Sequence, residues 1–226
     1  MAPPRISIKL CYDVVSPFSY LAFEILVRYR DIWNIDLELC PFYLGGVMSA
    51  SGNRPPMSVK RKGDFLVTDV GRLAGESGLT IKINWGGFPP NTIQCARFLR
   101  AYKDEASPEE LEKVTRHLFV EMFDRETNPA SPAFLRSLVP ALVPEDKFSA
   151  IIARSQSQEI KDCLKTESAA LVNEYGAFGF PWIIVRGADG ATASFFGSDR
   201  FANMAWWLGD EYKWTGPHPN LHKSKL

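Results

Sequence analysis

The sequence of 226 residues has no excess of either charge: 26 Lys and Arg stand against 26 Asp and Glu. Without a basic surplus to neutralise phosphates, nucleic-acid binding is not expected. No apolar run approaches the ~20 residues that a bilayer-spanning helix needs. The start, Met1 to Leu10, has no apolar signal core and no small-residue cleavage site. Neither a membrane span nor an export signal is therefore expected. The four cysteines, Cys11, Cys40, Cys95 and Cys163, form no Cys-x-x-Cys motif. The three histidines, His117, His218 and His222, stand at no metal-ligand spacing. These absences argue against a zinc site and against dithiol redox chemistry at a helix start. The thiols, Cys11 among them, are read as isolated core residues in a reducing compartment.

What is present is an ordinary globular composition, 46% hydrophobic and 12% aromatic. At about 150 residues per domain the chain makes one domain or two small ones. A chain of this size buries roughly 70% of its extended surface on folding, so no metal or disulfide is needed to build a core.

Apolar alternation marks Ile6–Tyr12 and Ile35–Phe42 as strands. Between them, Ser16 stands at a helix cap, with Pro17 at the first position where its missing N–H costs nothing. A strand, helix, strand unit implies parallel pairing and a right-handed crossover. Gly45 to Gly63, with Gly52-Asn53-Arg54-Pro55-Pro56 at its centre, reads as loop. Helical periodicity then runs from Phe65 to Tyr175. A capping box is expected at Asn91-Thr92-Ile93-Gln94, a fuller one at Ser107-Pro108-Glu109-Glu110, and a cap at Ser157. After Gly176, strands are expected at Pro181–Val185 and Ala191–Phe196, joined through Asp189-Gly190, a hairpin turn signal. Gly197-Ser198-Asp199 is read as opening a last helix. This order, βαβ, helices, then ββα, is that of an α/β protein with a thioredoxin-like fold interrupted by an all-helical insertion domain. The thioredoxin-like part spans 1–64 and 176–226, and the insertion spans 65–175.

In such a fold the first strand feeds a helix N-terminus that stabilises anions. Here the loop carries Ser16-Pro17-Phe18-Ser19 where dithiol proteins carry two cysteines. Ser16 either caps the helix or offers a hydroxyl to a ligand's thiolate. Phe180-Pro181 lies where thioredoxin folds place a cis bond, which leaves the Phe180 backbone to pair with an extended peptide; an ordinary trans proline at a strand start is the alternative. Ser198 and Asp199 either cap the last helix or hold a ligand's carboxylate and ammonium, as a free γ-glutamyl end would present.

With these residues in place the chain resembles the kappa-class glutathione transferases. The matching pieces are Tyr12-Asp13-Val14-Val15-Ser16-Pro17-Phe18-Ser19, Phe23-Glu24-Ile25-Leu26, Gly52-Asn53-Arg54-Pro55-Pro56, Arg61-Lys62-Gly63, Tyr175-Gly176-Ala177-Phe178-Gly179-Phe180-Pro181 and Phe196-Gly197-Ser198-Asp199-Arg200. The resemblance implies that Ser16 is the catalytic hydroxyl on the glutathione sulfur, with Pro17 and Phe18 as adjoining contacts. It implies a polar contact from Asn53 and a lysine, Lys62, near the site. Phe180 and Pro181 would pair with the cysteinyl part of glutathione, Ser198 and Asp199 with its γ-glutamyl end. The implied activity is conjugation of glutathione, as substrate, to small hydrophobic electrophiles, with peroxide reduction beside it and no metal. A homodimer is implied too. Two alternatives share these signals: a glutathione-dependent isomerase of the 2-hydroxychromene-2-carboxylate type, and a non-catalytic domain binding extended peptides.

The sequence ends Ser224-Lys225-Leu226, a peroxisomal address read by an import receptor. Peroxisomal localisation is expected, with mitochondria or cytosol as alternatives.

Overall fold

The computed structural model describes residues 3–219. Its sheet has four strands, β1 (Ile6–Tyr12), β2 (Ile35–Pro41), β3 (Trp182–Arg186) and β4 (Thr192–Phe196), in the order β2-β1-β3-β4. β1 runs parallel to β2, with Ile6 opposite Ile35 and Cys11 opposite Cys40. It runs antiparallel to β3, with Cys11 opposite Trp182. β3 and β4 form the expected hairpin. Helix α1 (Pro17–Tyr29) makes the crossover from β1 to β2, and α9 (Phe201–Leu208) follows the hairpin. The thioredoxin order expected from the sequence is thus the order found, and the helices between β2 and β3 are inserted into it. The tripeptide Ser224-Lys225-Leu226 lies outside the described residues.

Local signals explain several helix ends. Ser16 caps α1, its Oγ accepting the Ser19 N–H at 3.1 Å, with Pro17 in the first turn. Ser107 and Glu110 make a reciprocal capping box on α5 (Pro108–Phe123). Ser157 caps α8 (Gln158–Tyr175), and Gly176, at φ 70°, closes it in the left-handed conformation that glycine adopts without a Cβ clash. α1 packs on the sheet through Phe23 and Leu26. α5 continues the same buried cluster through Leu118 and Phe119. Tyr20 stacks on Phe119 with ring centroids 4.9 Å apart, and the Tyr12 hydroxyl bonds the Thr115 hydroxyl at 2.6 Å. The first strand and the inserted helices therefore share one core, and aromatic pairs contribute beyond their buried area.

The structure departs from the sequence reading at three places. The stretch expected as loop from Gly45 to Gly63 contains α2 (Leu44–Ser51) and the start of α3 (Lys60–Ser77). Two glycines oppose a helix at α2, each by about 1 kcal/mol relative to alanine. Tertiary contact overrides them: Val47 is fully buried in a second cluster with Phe42 and Phe180. The box expected at Asn91–Gln94 is not formed. The cap of α4 (Ile93–Lys103) is Thr92, whose hydroxyl donates to Asp13 instead, while Asn91 accepts the Ile93 N–H at 3.0 Å. Gly197-Ser198-Asp199 precedes α9 as a turn, the helix being entered through Arg200 with no side-chain cap. Asp199 bonds Arg200 at 2.7 Å rather than a helical N–H. Among the described residues no helix is long and apolar enough to cross a membrane, and no group of three or more His, Cys, Asp or Glu is placed to hold a metal ion.

Candidate active site

β1 ends at Tyr12, and the chain turns through Asp13, Val14 and Val15 before α1. Asp13 shapes this turn. One carboxylate oxygen accepts the Val15 N–H at 3.1 Å. The other accepts the Leu44 N–H at 2.7 Å and the Thr92 hydroxyl at 3.0 Å. A single buried carboxylate therefore joins the β1–α1 loop, the start of α2 and the start of α4. Burial pushes its pKa up to about 6, while the Leu44, Val15 and Thr92 hydrogen bonds pull it down.

Ser16 follows, 5% exposed. Its hydroxyl donates to the Phe180 carbonyl at 3.1 Å while accepting the Ser19 N–H. Phe180 precedes Pro181 through a cis peptide bond. The Phe180 N–H donates to no carbonyl or side chain among the described residues. The hydroxyl thus stands between the positive end of α1 and the main chain of the cis-proline loop. Asn53 approaches the same loop and donates to the Phe178 carbonyl at 2.7 Å.

Ser16, Pro17, Phe18, Asn53 and Phe180 line one cavity of about 370 Å³. Its far wall comes from the chain between β2 and β3, through Met48, Met57, Leu66 and the Phe88-Pro89-Pro90 turn. One side of the cavity offers a hydroxyl and backbone, the other sulfur and hydrocarbon. Pro181 stands behind this wall, its carbonyl accepting the Gly197 N–H at 3.1 Å. That bond places the Gly197–Asp199 turn next to the cis-proline. Gly197 has φ 101°, a backbone conformation that strains residues with a Cβ and that glycine adopts freely. Among the described residues the buried Ser198 Oγ has no hydrogen-bond partner, and Asp199 is exposed. Ser198, Asp199 and Lys62, which is exposed on the first turn of α3, are not part of the cavity lining. The structure therefore groups five of the nine expected residues around one space and sets Pro181, Ser198 and Asp199 beside it.

Asp13 and the apolar wall were not anticipated as parts of the site. Asp13 carried a local signal, an acidic residue two positions before an N–H it accepts, the spacing of an Asx turn. The wall residues carried none, since helix α2 and the Pro89-Pro90 turn meet only in three dimensions.

A hydroxyl stands at the helix start where dithiol proteins carry sulfur, beside a cis-proline and a half-apolar cleft, and the fold around it is that of a thioredoxin-like protein. The DSBA-like thioredoxin domain family matches residues 7–208. Glutathione S-transferase kappa 1 of Homo sapiens is 36% identical over 236 aligned positions, spanning all of both chains. The Rattus norvegicus protein of that name is 34% identical, again over both whole chains. Among solved structures, 2-hydroxychromene-2-carboxylate isomerase superposes with a TM-score of 0.70 at 20% identity, covering 90% of this chain and 94% of its own, a likeness of fold alone. The chain belongs to the DSBA-like thioredoxin family and, within it, to the kappa-class glutathione transferases.

Proposed function

We propose that the chain is a glutathione transferase that binds glutathione with its sulfur at Ser16 and activates it as the thiolate. The observation that carries this reading is the Ser16 hydroxyl, held at the N-terminus of α1, 3.1 Å from the Phe180 carbonyl and open to the cavity. A free thiol has a pKa near 8.5 and is mostly protonated at neutral pH. The Ser16 proton, turned from the Phe180 carbonyl to the ligand sulfur, gives a charge-assisted hydrogen bond worth roughly 1.5–3 kcal/mol. At 1.36 kcal/mol per pKa unit this lowers the thiol by about one to two units. The positive end of α1 acts in the same direction.

The rest of glutathione follows the backbone. Its cysteinyl N–H and C=O pair with Phe180 beside the cis-proline, as extended peptides pair with an exposed strand edge. Its γ-glutamyl carboxylate meets the Ser198 hydroxyl, which is buried without a partner, and its ammonium meets Asp199. Asn53 lies on the same side, and Lys62 adds a positive charge from α3. Pro17 and Phe18 bound the sulfur. The second substrate is a small hydrophobic electrophile lodged against Met48, Met57 and Phe88, attacked by the thiolate at carbon or at a peroxide oxygen. Such chemistry serves detoxification. Calorimetric titration of reduced glutathione tests the reading: saturable binding with proton release near neutral pH is expected, weakened by Asp199→Ala and with the proton release suppressed by Ser16→Ala. Absence of binding refutes it.

We further propose that the protein is a homodimer, supported by the family to which it belongs and tested by light scattering. Import into peroxisomes through Ser224-Lys225-Leu226 and its receptor completes the proposal. A fluorescent fusion ending in these residues is expected to give puncta, lost when the three are removed; puncta that persist refute it.

A further inference from the structure

Beside α8, β1 and β2 place four reactive side chains on one face of the sheet, in two register rows separated by the Leu10–Leu39 pair. Lys9 stands opposite Glu38 and Cys11 opposite Cys40. Residues opposite each other in neighbouring strands point to the same face, with Cα atoms roughly 4.8 Å apart. That spacing falls inside the window of about 4.4–6.8 Å that a disulfide requires. Cys11 is buried against Phe42, Phe180 and Trp182. Cys40 is half-buried and lines a cavity of about 390 Å³ closed on its far side by Leu171 and Tyr175 of α8.

The charges around Cys40 favour its thiolate. Lys103, at the end of α4, donates to the Cys40 sulfur at 3.3 Å and to Glu38 at 2.7 Å. Lys9 holds the other Glu38 oxygen at 2.9 Å. Glu38 repels a thiolate and accepts the Cys40 S–H at 3.4 Å, but two ammonium groups outweigh its one negative charge. Arg100, on the rim, is engaged by Asp104 and Glu167. The neighbouring Cys11 thiol and Lys103 lower the Cys40 pKa against the effect of burial, while the neighbouring Cys40 thiol and burial raise that of Cys11. Burial raises Cys95 and, together with Glu167, raises Cys163. Of the four thiols, Cys40 alone is turned toward reactivity.

We propose that Cys40 and Cys11 form a peroxide-responsive thiol pair, Cys40 reacting first and Cys11 resolving it into a disulfide between β1 and β2. The Cys40 thiolate attacks a peroxide oxygen. An S–O bond forms, the O–O bond breaks, and the departing oxygen leaves as water or alcohol after taking a proton. The Cys11 sulfur then attacks the sulfenic sulfur; the S–S bond forms, the S–O bond breaks, and the oxygen leaves as water with the Cys11 proton. One peroxide is reduced by two electrons and the two thiols are oxidised. Two molecules of a thiol such as glutathione return the pair to its reduced state and leave as their own disulfide.

The test uses the reduced full-length protein and hydrogen peroxide in equimolar amount, followed by alkylation and peptide mass mapping over time. Cys40 is expected to lose its alkylation first, and a peptide linking Cys11 to Cys40 to accumulate and disappear on addition of a reducing thiol. Cys11→Ser should stop at a Cys40 sulfenic acid trapped by dimedone. Lys103→Gln should slow Cys40 oxidation several-fold near pH 7, because it removes the ammonium that lowers the Cys40 pKa. Oxidation of Cys163 as fast as that of Cys40, or no linked peptide from the wild-type chain, overturns the proposal. Neither result depends on glutathione binding at Ser16, so the two readings fail separately.

Discussion

Replacing Ser16 by alanine removes one oxygen with two duties, and their separate sizes make the reasoning testable. As a cap, Ser16 satisfies the Ser19 N–H at 3.1 Å, and loss of such a cap costs about 1 kcal/mol of stability. As a donor to the thiolate it supplies roughly 1.5–3 kcal/mol, so the pKa of bound glutathione should rise by about one to two units in the variant. A more basic thiolate is also a better nucleophile, and with a Brønsted slope near 0.5 about half of the loss is returned. The expected net effect is a fall of about 3- to 10-fold in kcat/KM below pH 7, with the alkaline plateau equal to or above that of the wild type. The assay is the pH profile of kcat/KM with an aryl halide, paired with the ultraviolet absorbance of bound thiolate. Ser16→Thr keeps a hydroxyl and should recover most of the acid limb. Thermal melting measures the capping loss separately. A variant whose profile keeps its midpoint, with full activity on the acid side, refutes the assigned role.

Three further outcomes are expected. Asp13 has its carboxyl raised from 3.8 to about 6, so the protonated form is the one favoured by folding. Its contribution to stability is whole below about pH 3.8 and is lost as pH rises through about 6, a change of roughly 3 kcal/mol; the stability difference from Asp13→Asn should vary over that interval and be flat above about pH 7, measured by urea unfolding. Ser198→Ala should leave the melting temperature unchanged or raise it, because its buried hydroxyl has no partner to lose, while KM for glutathione rises several-fold; a lower melting temperature with unchanged KM contradicts its placement. Phe119→Ala empties the junction between Tyr12, Tyr20 and Phe23 and should cost about 3–5 kcal/mol in denaturant unfolding.

What the sequence disclosed and what it withheld divide along a physical line. Strands and capped helices rest on short-range rules, so alternation in Ile6–Tyr12 and the reciprocal bonds of Ser107 with Glu110 were readable from neighbours in the chain. Ser16 and Phe180 were readable because the fold fixes the ends of β1 and the start of β3. Helix α2 was hidden, since its two glycines argue locally for loop and only burial of Val47 against distant residues reverses them. Thr92 was misread for the same reason: its hydroxyl finds a carboxylate 79 positions away in place of its own helix. The apolar wall of the cavity could not be assembled from sequence, because Met48, Met57 and Phe88 share no spacing, only a destination.

The ladder between β1 and β3 carries a consequence for how this catalyst diversifies. Ser16 follows one central strand and Phe180 precedes its hydrogen-bonded neighbour, so their mutual distance is set by sheet register. The helices that supply the opposite wall hang between β2 and β3 as one long excursion. Within that excursion Met48, Met57 and Phe88 face the cavity, whereas Leu44 and Thr92 bond Asp13 and Asn53 bonds the Phe178 carbonyl. Changes at the first group reshape the space while those bonds stay in place, so the form of the cavity and the anchoring of its loops are mutationally separable.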